Sequence, residues 1–168
     1  MRLIHLIRHA RPAVTGVLLG GSDIPLASEE LTASTLVVDR VLASPLARAW
    51  RTAELLFPGT EITAVPEFAE RGLGQWERKR WDEVEAEWPE LAGRASVDWF
   101  GTTPPGGEPW SDFVARVERG WRGVPPAGAI AIVAHVGVNS VLAHLADGRE
   151  LASFQQDYLE VISIALSD

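Results

Sequence analysis

Cysteine is absent from the 168 residues, which excludes disulfides, thiolate nucleophiles, zinc ribbons and cysteine-ligated iron–sulfur clusters. No run approaches the roughly 18 uninterrupted apolar residues of a membrane span. The opening MRLIHLIRHARP carries Arg2, Arg8, Arg11 and two histidines where an export signal would need an apolar stretch. A cytoplasmic protein with no membrane partner is expected. Positive charge is also scarce: 15 Lys+Arg stand against 23 Asp+Glu, a formal charge of -8. A general nucleic-acid binder carries a basic footprint, so none is expected, and any anionic ligand must be held by a local basic pocket.

What is present is ordinary globular composition, 46% hydrophobic and 23% charged over a length that predicts one domain, residues 1–168. Short apolar runs at Leu3 to Ile7, Val41 to Ala43, Ile62 to Val65 and Ile130 to Ala134 read as buried strands, and Leu159 to Leu166 alternates as a terminal strand. Helical patterns lie between them. One is expected to begin at Pro45, with Leu46, Ala49, Trp50, Ala53 and Leu56 on its buried face. A second stripe, Trp81, Val84, Trp88 and Leu91, is broken or bent by Pro89. Ser111 is the expected N-cap of a third helix with Phe113, Val114, Val117 and Trp121 buried. The last helix should start just after His135 and end near Asp147-Gly148. Gly101 to Pro109 and Gly123 to Gly128 read as loops, and no internal repeat is present. Strands alternating with helices predict an α/β layer fold with a largely parallel sheet.

Open α/β sheets bind ligands beyond the carboxyl ends of their strands. Arg8 and His9 follow the first run, Arg48 lies just after the second, Glu70 is in the segment after the third, and His135 directly follows Ile130 to Ala134. Guanidiniums, imidazoles and a carboxylate thus converge on one rim. Planar guanidinium forks suit phosphate oxygens, and a helix start after His135 adds backbone N–H groups and the positive end of a dipole. A neutral imidazole can attack phosphorus to give a phosphohistidine that water later removes. A carboxyl group with a raised pKa can protonate the leaving alcohol and then activate the water. Metal binding is the competing use of histidine, but His5 and His9 on an extended segment would stand about 13 Å apart at roughly 3.3 Å per residue, and no clustered carboxylates accompany them. No metal and no cofactor are expected.

At these residues the chain resembles the histidine phosphatase superfamily, the phosphoglycerate mutase-like family. LIRHARP resembles its RHG signature, followed in the family's order by GGSDIPL at Gly20 to Leu26, ASPLARAWRTAE at Ala43 to Glu54, ERGLGQWE at Glu70 to Glu77, PGGEP at Pro105 to Pro109 and IVAHVGV at Ile132 to Val138. GGSDIPL, the QWE segment and the ending QDYLEVISI most resemble the alpha-ribazole phosphatase branch, which acts late in cobalamin assembly. The resemblance implies a three-layer α/β/α fold with a mostly parallel central sheet. It implies His9 as the phosphorylated nucleophile, Arg8 and Arg48 as the phosphate clamp, His135 as the second phosphate-binding histidine and Glu70 as the proton donor. A small phosphorylated metabolite, with alpha-ribazole phosphate as the best single choice, is the implied substrate.

The chain departs from the family pattern at Ala10, Val136 and Pro109, where glycine, glycine and serine are usual. The Val136 amide can still donate to phosphate while its side chain narrows the pocket or tilts the helix start. The span from Leu26 to Asp39 is short for the family, so its first helix should be truncated at the flank of the fold. Glu67 and Glu77 compete with Glu70 for the acid role. Thr15 and Arg11 stand near enough to the nucleophile to touch substrate, and Glu108 could brace an active-site arginine. His5 and His144 read as structural. Of the seven tryptophans most should be core, with Trp76 or Trp99 lining a pocket for an apolar or aromatic leaving group. Asp82 to Glu90 reads as a solvated helix face. The alternatives are a phosphoglycerate mutase, disfavoured because the chain stops after its last strand at Asp168 with no lid, a phosphohistidine protein phosphatase, and a phosphate-ester-binding module without turnover. Oligomeric state is not read from the sequence.

Overall fold

In the computed structural model, which describes residues 1–166, one sheet is built from β1 (Arg2–Arg8), β2 (Arg40–Ala43), β3 (Ile62–Ala64), β4 (Gly128–Ala134) and β5 (Val161–Leu166). The chain end at Asp168, which bore on the absence of a lid, lies outside the described residues. Strand order is β3-β2-β4-β1-β5, with every neighbouring pair parallel except β1 and β5. The helices are α1 (Ala47–Leu56), α2 (Trp81–Glu87), α3 (Pro89–Val97), α4 (Trp110–Arg122) and α5 (Val136–Asp147).

Period-2 alternation along the central strands assigns the two faces. Ile130, Ile132 and Ala134 of β4, with Ile4 and Leu6 of β1, pack under Phe113 and Val117 of α4 and Val138, Val141 and Leu142 of α5. Ala131, Val133, Ile7 and Val41 face the other way, onto Ala53 and Leu56 of α1. A strand apolar at every position, as β4 is, is what a sheet covered on both faces requires. Each large aliphatic side chain taken fully from water contributes roughly 1.5–3 kcal/mol. His5 is also buried and bonds Ser163 of β5 through Nδ1 at 2.8 Å, a structural role as expected. A satellite cluster of Leu73, Trp76, Val84, Ala92 and Ala95 lies under the long connection from β3 to α4.

Several boundaries differ from the sequence reading. α1 begins at Ala47 rather than Pro45, and the Asp23 carboxylate accepts its first N–H at 2.7 Å. Pro109, not Ser111, caps α4, because its carbonyl accepts from both Asp112 and Phe113. Ser111 sits exposed inside the first turn. β5 starts at Val161, two residues late, because Leu159 has a left-handed φ of 63° and closes a turn before the strand. The expected truncated helix between Leu26 and Asp39 is absent altogether. Leu36 and Val38 cover that flank of the α1-side core from an irregular segment. α2 and α3 meet at Trp88-Pro89, as the proline predicts, and α5 ends on Gly148 at φ 77°.

Candidate active site

β1 delivers Arg8 as its last residue and His9 directly beyond it, while β4 delivers His135 as the N-cap of α5. The carbonyl of Ala10 accepts from His9 Nδ1 at 2.7 Å. A carbonyl only accepts, so Nδ1 carries the proton and Nε2 keeps its lone pair. Arg48, the second residue of α1, points its Nε at that lone pair from 3.3 Å. Its terminal nitrogens donate to the carbonyls of Ser22 at 2.7 Å and Gly20 at 2.8 Å, which fixes a buried guanidinium beside the histidine. The His9 and His135 rings lie 5.1 Å apart. His135 Nε2 meets Ser44 Oγ at 2.8 Å, whereas its Nδ1 is buried with no hydrogen-bond partner among the described residues.

Glu70 comes from the connection that follows β3. Its carboxylate accepts the backbone N–H of Arg71 at 3.0 Å and that of Gly137, in the first turn of α5, at 3.0 Å. A Cβ at Gly137 would overlap Glu70 Oε1, so this close approach requires glycine. Arg116 of α4 fixes the strand of chain that carries Glu70, donating to the carbonyls of Glu67 at 2.7 Å and Ala69 at 2.9 Å. Glu108 holds Arg116 in turn through both oxygens, at 2.9 and 2.8 Å.

These groups surround a cavity of about 140 Å³ whose lining includes Arg8, His9, Arg48, Glu70 and His135. Thr15, Val136 and Tyr158 are also among its lining residues. Burial pushes the His9 imidazole down to about 3, reinforced by Arg48 and Arg8 and opposed by the bond to Ala10. Burial, with His9 and the arginines adding to it, likewise holds His135 well below its ordinary value. Both rings are free bases at neutral pH. Burial pushes the Glu70 carboxyl upward, against the two backbone N–H bonds. Glu77 shifts the other way: hydrogen bonds from Ser22, Leu73, Gly20 and Gly21 outweigh burial and hold it ionised. Burial acts on both, and the number of hydrogen bonds accepted separates a carboxyl that can carry a proton from one held ionised.

The residues expected from the sequence, Arg8, His9, Thr15, Arg48, Glu70, His135 and Val136, all line this cavity. The rival acids do not: Glu67 offers only its carbonyl to Arg116, and Glu77 clasps the Gly20–Ser22 loop. Arg11 lies exposed and outside the lining. Glu108 does brace an arginine, but it is Arg116 rather than the clamp. Trp76 is fully buried in the satellite cluster, whereas Trp99 lines a second cavity beside the first, together with Trp110. The sequence reading missed Tyr158. Its ring stacks on the Arg8 guanidinium at 4.1 Å and stands 5.6 Å from the His9 ring. The turn that presents it is tied to β1 through Arg8 Nη1 donating to Gln156 O at 2.7 Å and Leu159 N to Arg8 O at 3.1 Å. Arg116, Ser44 and Gln156 were also missed, since each acts through a partner far away in the chain.

The model of the histidine phosphatase superfamily (branch 1) matches residues 4–167. The adenosylcobalamin/alpha-ribazole phosphatase of Salmonella typhimurium is 32% identical over 152 residues, spanning 82% of this chain and 75% of that protein. The crystal structure of the alpha-ribazole phosphatase from Shigella flexneri is similar with a TM-score of 0.83 at 26% identity, covering 98% of this chain and 91% of that one. The crystal structure of TTHB049 from Thermus thermophilus is similar with a TM-score of 0.76 at 27% identity, covering 96% and 92%.

Proposed function

The chain belongs to the histidine phosphatase superfamily, and we propose from that membership that it is a phosphoric monoester hydrolase acting through a phosphohistidine on His9, with residues 1–168 working as one domain. The observation that carries the site assignment is a pair of buried nitrogens with no hydrogen-bond partner among the described residues, Arg8 Nε and His135 Nδ1, on two residues that line the cavity together with His9. In the tautomer in which Ser44 Oγ donates to His135 Nε2, the ring proton sits on Nδ1 and both nitrogens are donors. An unsatisfied buried donor costs roughly 1–3 kcal/mol, and the oxygens of one phosphoryl group can accept from both.

His9 Nε2 attacks phosphorus as the ester P–O bond breaks. Glu70 gives its proton to the departing alkoxide oxygen, which leaves as the alcohol. The phosphoryl charge is met by Arg8, Arg48, His135 and the positive end of α5. In the second half, the Glu70 carboxylate removes a proton from water, the water oxygen attacks phosphorus, and His9 Nε2 departs with its lone pair. Inorganic phosphate is released and both groups return to their starting state. Every charge-stabilising group in this scheme is a side chain or backbone amide, so no metal or cofactor has a task in it. The names of the Salmonella and Shigella relatives make alpha-ribazole phosphate the first substrate to try, within the wider class of small phosphorylated metabolites.

The test is phosphate release in EDTA over a panel of phosphorylated metabolites that includes alpha-ribazole phosphate, run beside His9→Ala. Selective release that vanishes in the variant supports the reading. Equal release from both proteins removes His9 from the chemistry, and ester binding without release from either points to a binding module.

A further inference from the structure

A planar guanidinium meets phosphate oxygens along fixed directions, so Arg8 serves a phosphoryl group only while its plane is held at one tilt. Two contacts hold that plane, and both come from one short piece of chain. Arg8 Nη1 donates to Gln156 O at 2.7 Å, and the Tyr158 ring covers the guanidinium face at 4.1 Å. This leaves the buried Arg8 Nε, without a partner among the described residues, for a phosphate oxygen. The tilt of the fork therefore depends on how firmly residues 156–158 are placed.

Their foothold is a single side chain. From Gln155 to Val161 every residue is exposed except Gln156, which is 4% accessible. The turn closes on itself, with Glu160 N donating to Asp157 O at 3.1 Å and Asp157 N to the Glu160 carboxylate at 2.6 Å. Its backbone bonds to β1 meet Arg8 itself, through Leu159 N to Arg8 O at 3.1 Å and Arg8 N to Glu160 O at 3.3 Å. The Gln156 side chain reaches further. Its Nε2 donates to the carbonyls of Leu6 at 2.9 Å and Glu160 at 3.0 Å, and its Oε1 accepts from Asn139 Nδ2 of α5 at 2.9 Å.

The two carbonyls fix which end of the Gln156 amide is nitrogen, so its oxygen faces Asn139, and Asn139 must answer with its own nitrogen. Asn139 Oδ1 is then left buried without a partner among the described residues. An amide pair with one oxygen unpaired adds less to stability than apolar side chains of the same volume, whereas its three bonds specify one placement of the turn. That placement joins α5, whose N-cap is His135, to the chain that orients Arg8. Neither amide lines the catalytic cavity.

Resting on the phosphatase reading above, we infer that Gln156 and Asn139 are positioning residues for phosphate capture: the buried amide pair anchors the Tyr158 turn to β1 and α5 and so sets the tilt of the Arg8 fork, without touching the ligand.

Tyr158 is the one tyrosine of the chain, so incorporation of 3-fluorotyrosine gives a single fluorine resonance from the ring stacked on Arg8. Inorganic phosphate is the probe, titrated by calorimetry and by that resonance. Gln156→Met, apolar and of similar length, should weaken phosphate binding about fivefold or more, raise KM by a like factor and change kcat by less than about twofold. It should also displace the fluorine resonance before phosphate is added. Asn139→Leu breaks the anchor from the α5 side, should show the same changes at smaller size, and carries the test should Gln156→Met fail to fold. Because the two residues act through one bond, the double variant should bind phosphate no more weakly than Gln156→Met alone; fully additive losses would overturn the pairing. Phosphate affinity unchanged in both single variants, with only the melting temperature lowered, overturns the inference and leaves the phosphatase reading standing. Weakened affinity with an unmoved resonance overturns it too. A wild type that binds no phosphate brings down the phosphatase reading, and the role given to the amide pair with it.

Discussion

His9 donates its Nδ1 proton to the carbonyl of Ala10, the residue that follows it, at 2.7 Å. That single local bond points the other ring nitrogen, unprotonated, into the cationic cavity beside Arg48. Alanine serves here because Ala10 is buried in an ordinary backbone conformation and its own N–H is taken by Thr52 Oγ1 at 2.9 Å. The departure from glycine at this position therefore leaves the nucleophile's tautomer intact.

The first prediction concerns the pH profile of kcat/KM. His9 stays neutral until about 3, whereas Glu70, raised above its ordinary value by burial, must be protonated to act as the acid. Activity should therefore fall on the alkaline side as Glu70 ionises, once the substrate's own second ionisation has been divided out. Glu70→Gln should lower the rate by about 10²–10⁴-fold and abolish that limb. A variant that keeps the alkaline limb would assign it to another group.

Stability should show the opposite slope. Between its unfolded value of 6.5 and a folded value of about 3, His9 binds more protons when unfolded, so stability is lost as pH falls through this window. His135, shifted in the same direction, adds to the effect. One such group contributes at most about 1.4 kcal/mol per pH unit. Denaturant titrations from pH 7 to pH 4 should show a shallower loss in His9→Gln than in the wild type; parallel curves would contradict the assignment.

Tyr158 touches the site through Arg8. Replacing it with Leu removes the stacked ring at 4.1 Å, and should raise KM and the inhibition constant of inorganic phosphate by about tenfold, in keeping with a cation–π contact of roughly 0.5–2 kcal/mol. The turnover number should change far less, and Tyr158→Phe should restore binding. A purely structural role would lower the melting temperature of the Leu variant and leave both constants where they were.

The Glu77 carboxylate accepts from Gly20 N, Gly21 N, Ser22 Oγ and Leu73 N, and the loop it clasps supplies the carbonyls that fix Arg48. Glu77→Gln replaces one acceptor oxygen by a donor and leaves N–H groups unpaired, at a cost of about 1–3 kcal/mol. Thermal unfolding should register that loss, and phosphate affinity should fall with it because Arg48 loses its anchor. Unchanged phosphate affinity would detach Glu77 from the clamp.

Legibility from the sequence followed the range of the interactions. Arg8, His9 and His135 could be placed because each directly follows an apolar strand run, and a parallel sheet sends all such ends to one edge. The resemblance picked Glu70 over Glu67 and Glu77, and burial and hydrogen bonding, which the spacing of glutamates does not encode, supply the physical distinction from Glu77. Tyr158 sits in a turn whose left-handed Leu159 leaves no mark in a hydrophobic pattern, and the strand start was misplaced for the same reason. The segment from Leu26 to Asp39 was assigned a short helix by analogy; two side chains, Leu36 and Val38, cover the core there without one. Trp99 and Trp76 share a composition signal, and only packing separates a cavity wall from a core residue.

The most direct test of the account is a rapid acid-free quench of the enzyme with radiolabelled phosphomonoester, followed by alkaline peptide mapping, which preserves phosphohistidine. The account predicts label on the peptide carrying His9, none in His9→Ala, and slower loss of label in Glu70→Gln because water then lacks its base. Stoichiometric label on any other residue, or single-turnover release of phosphate with no labelled enzyme at any time, would contradict it.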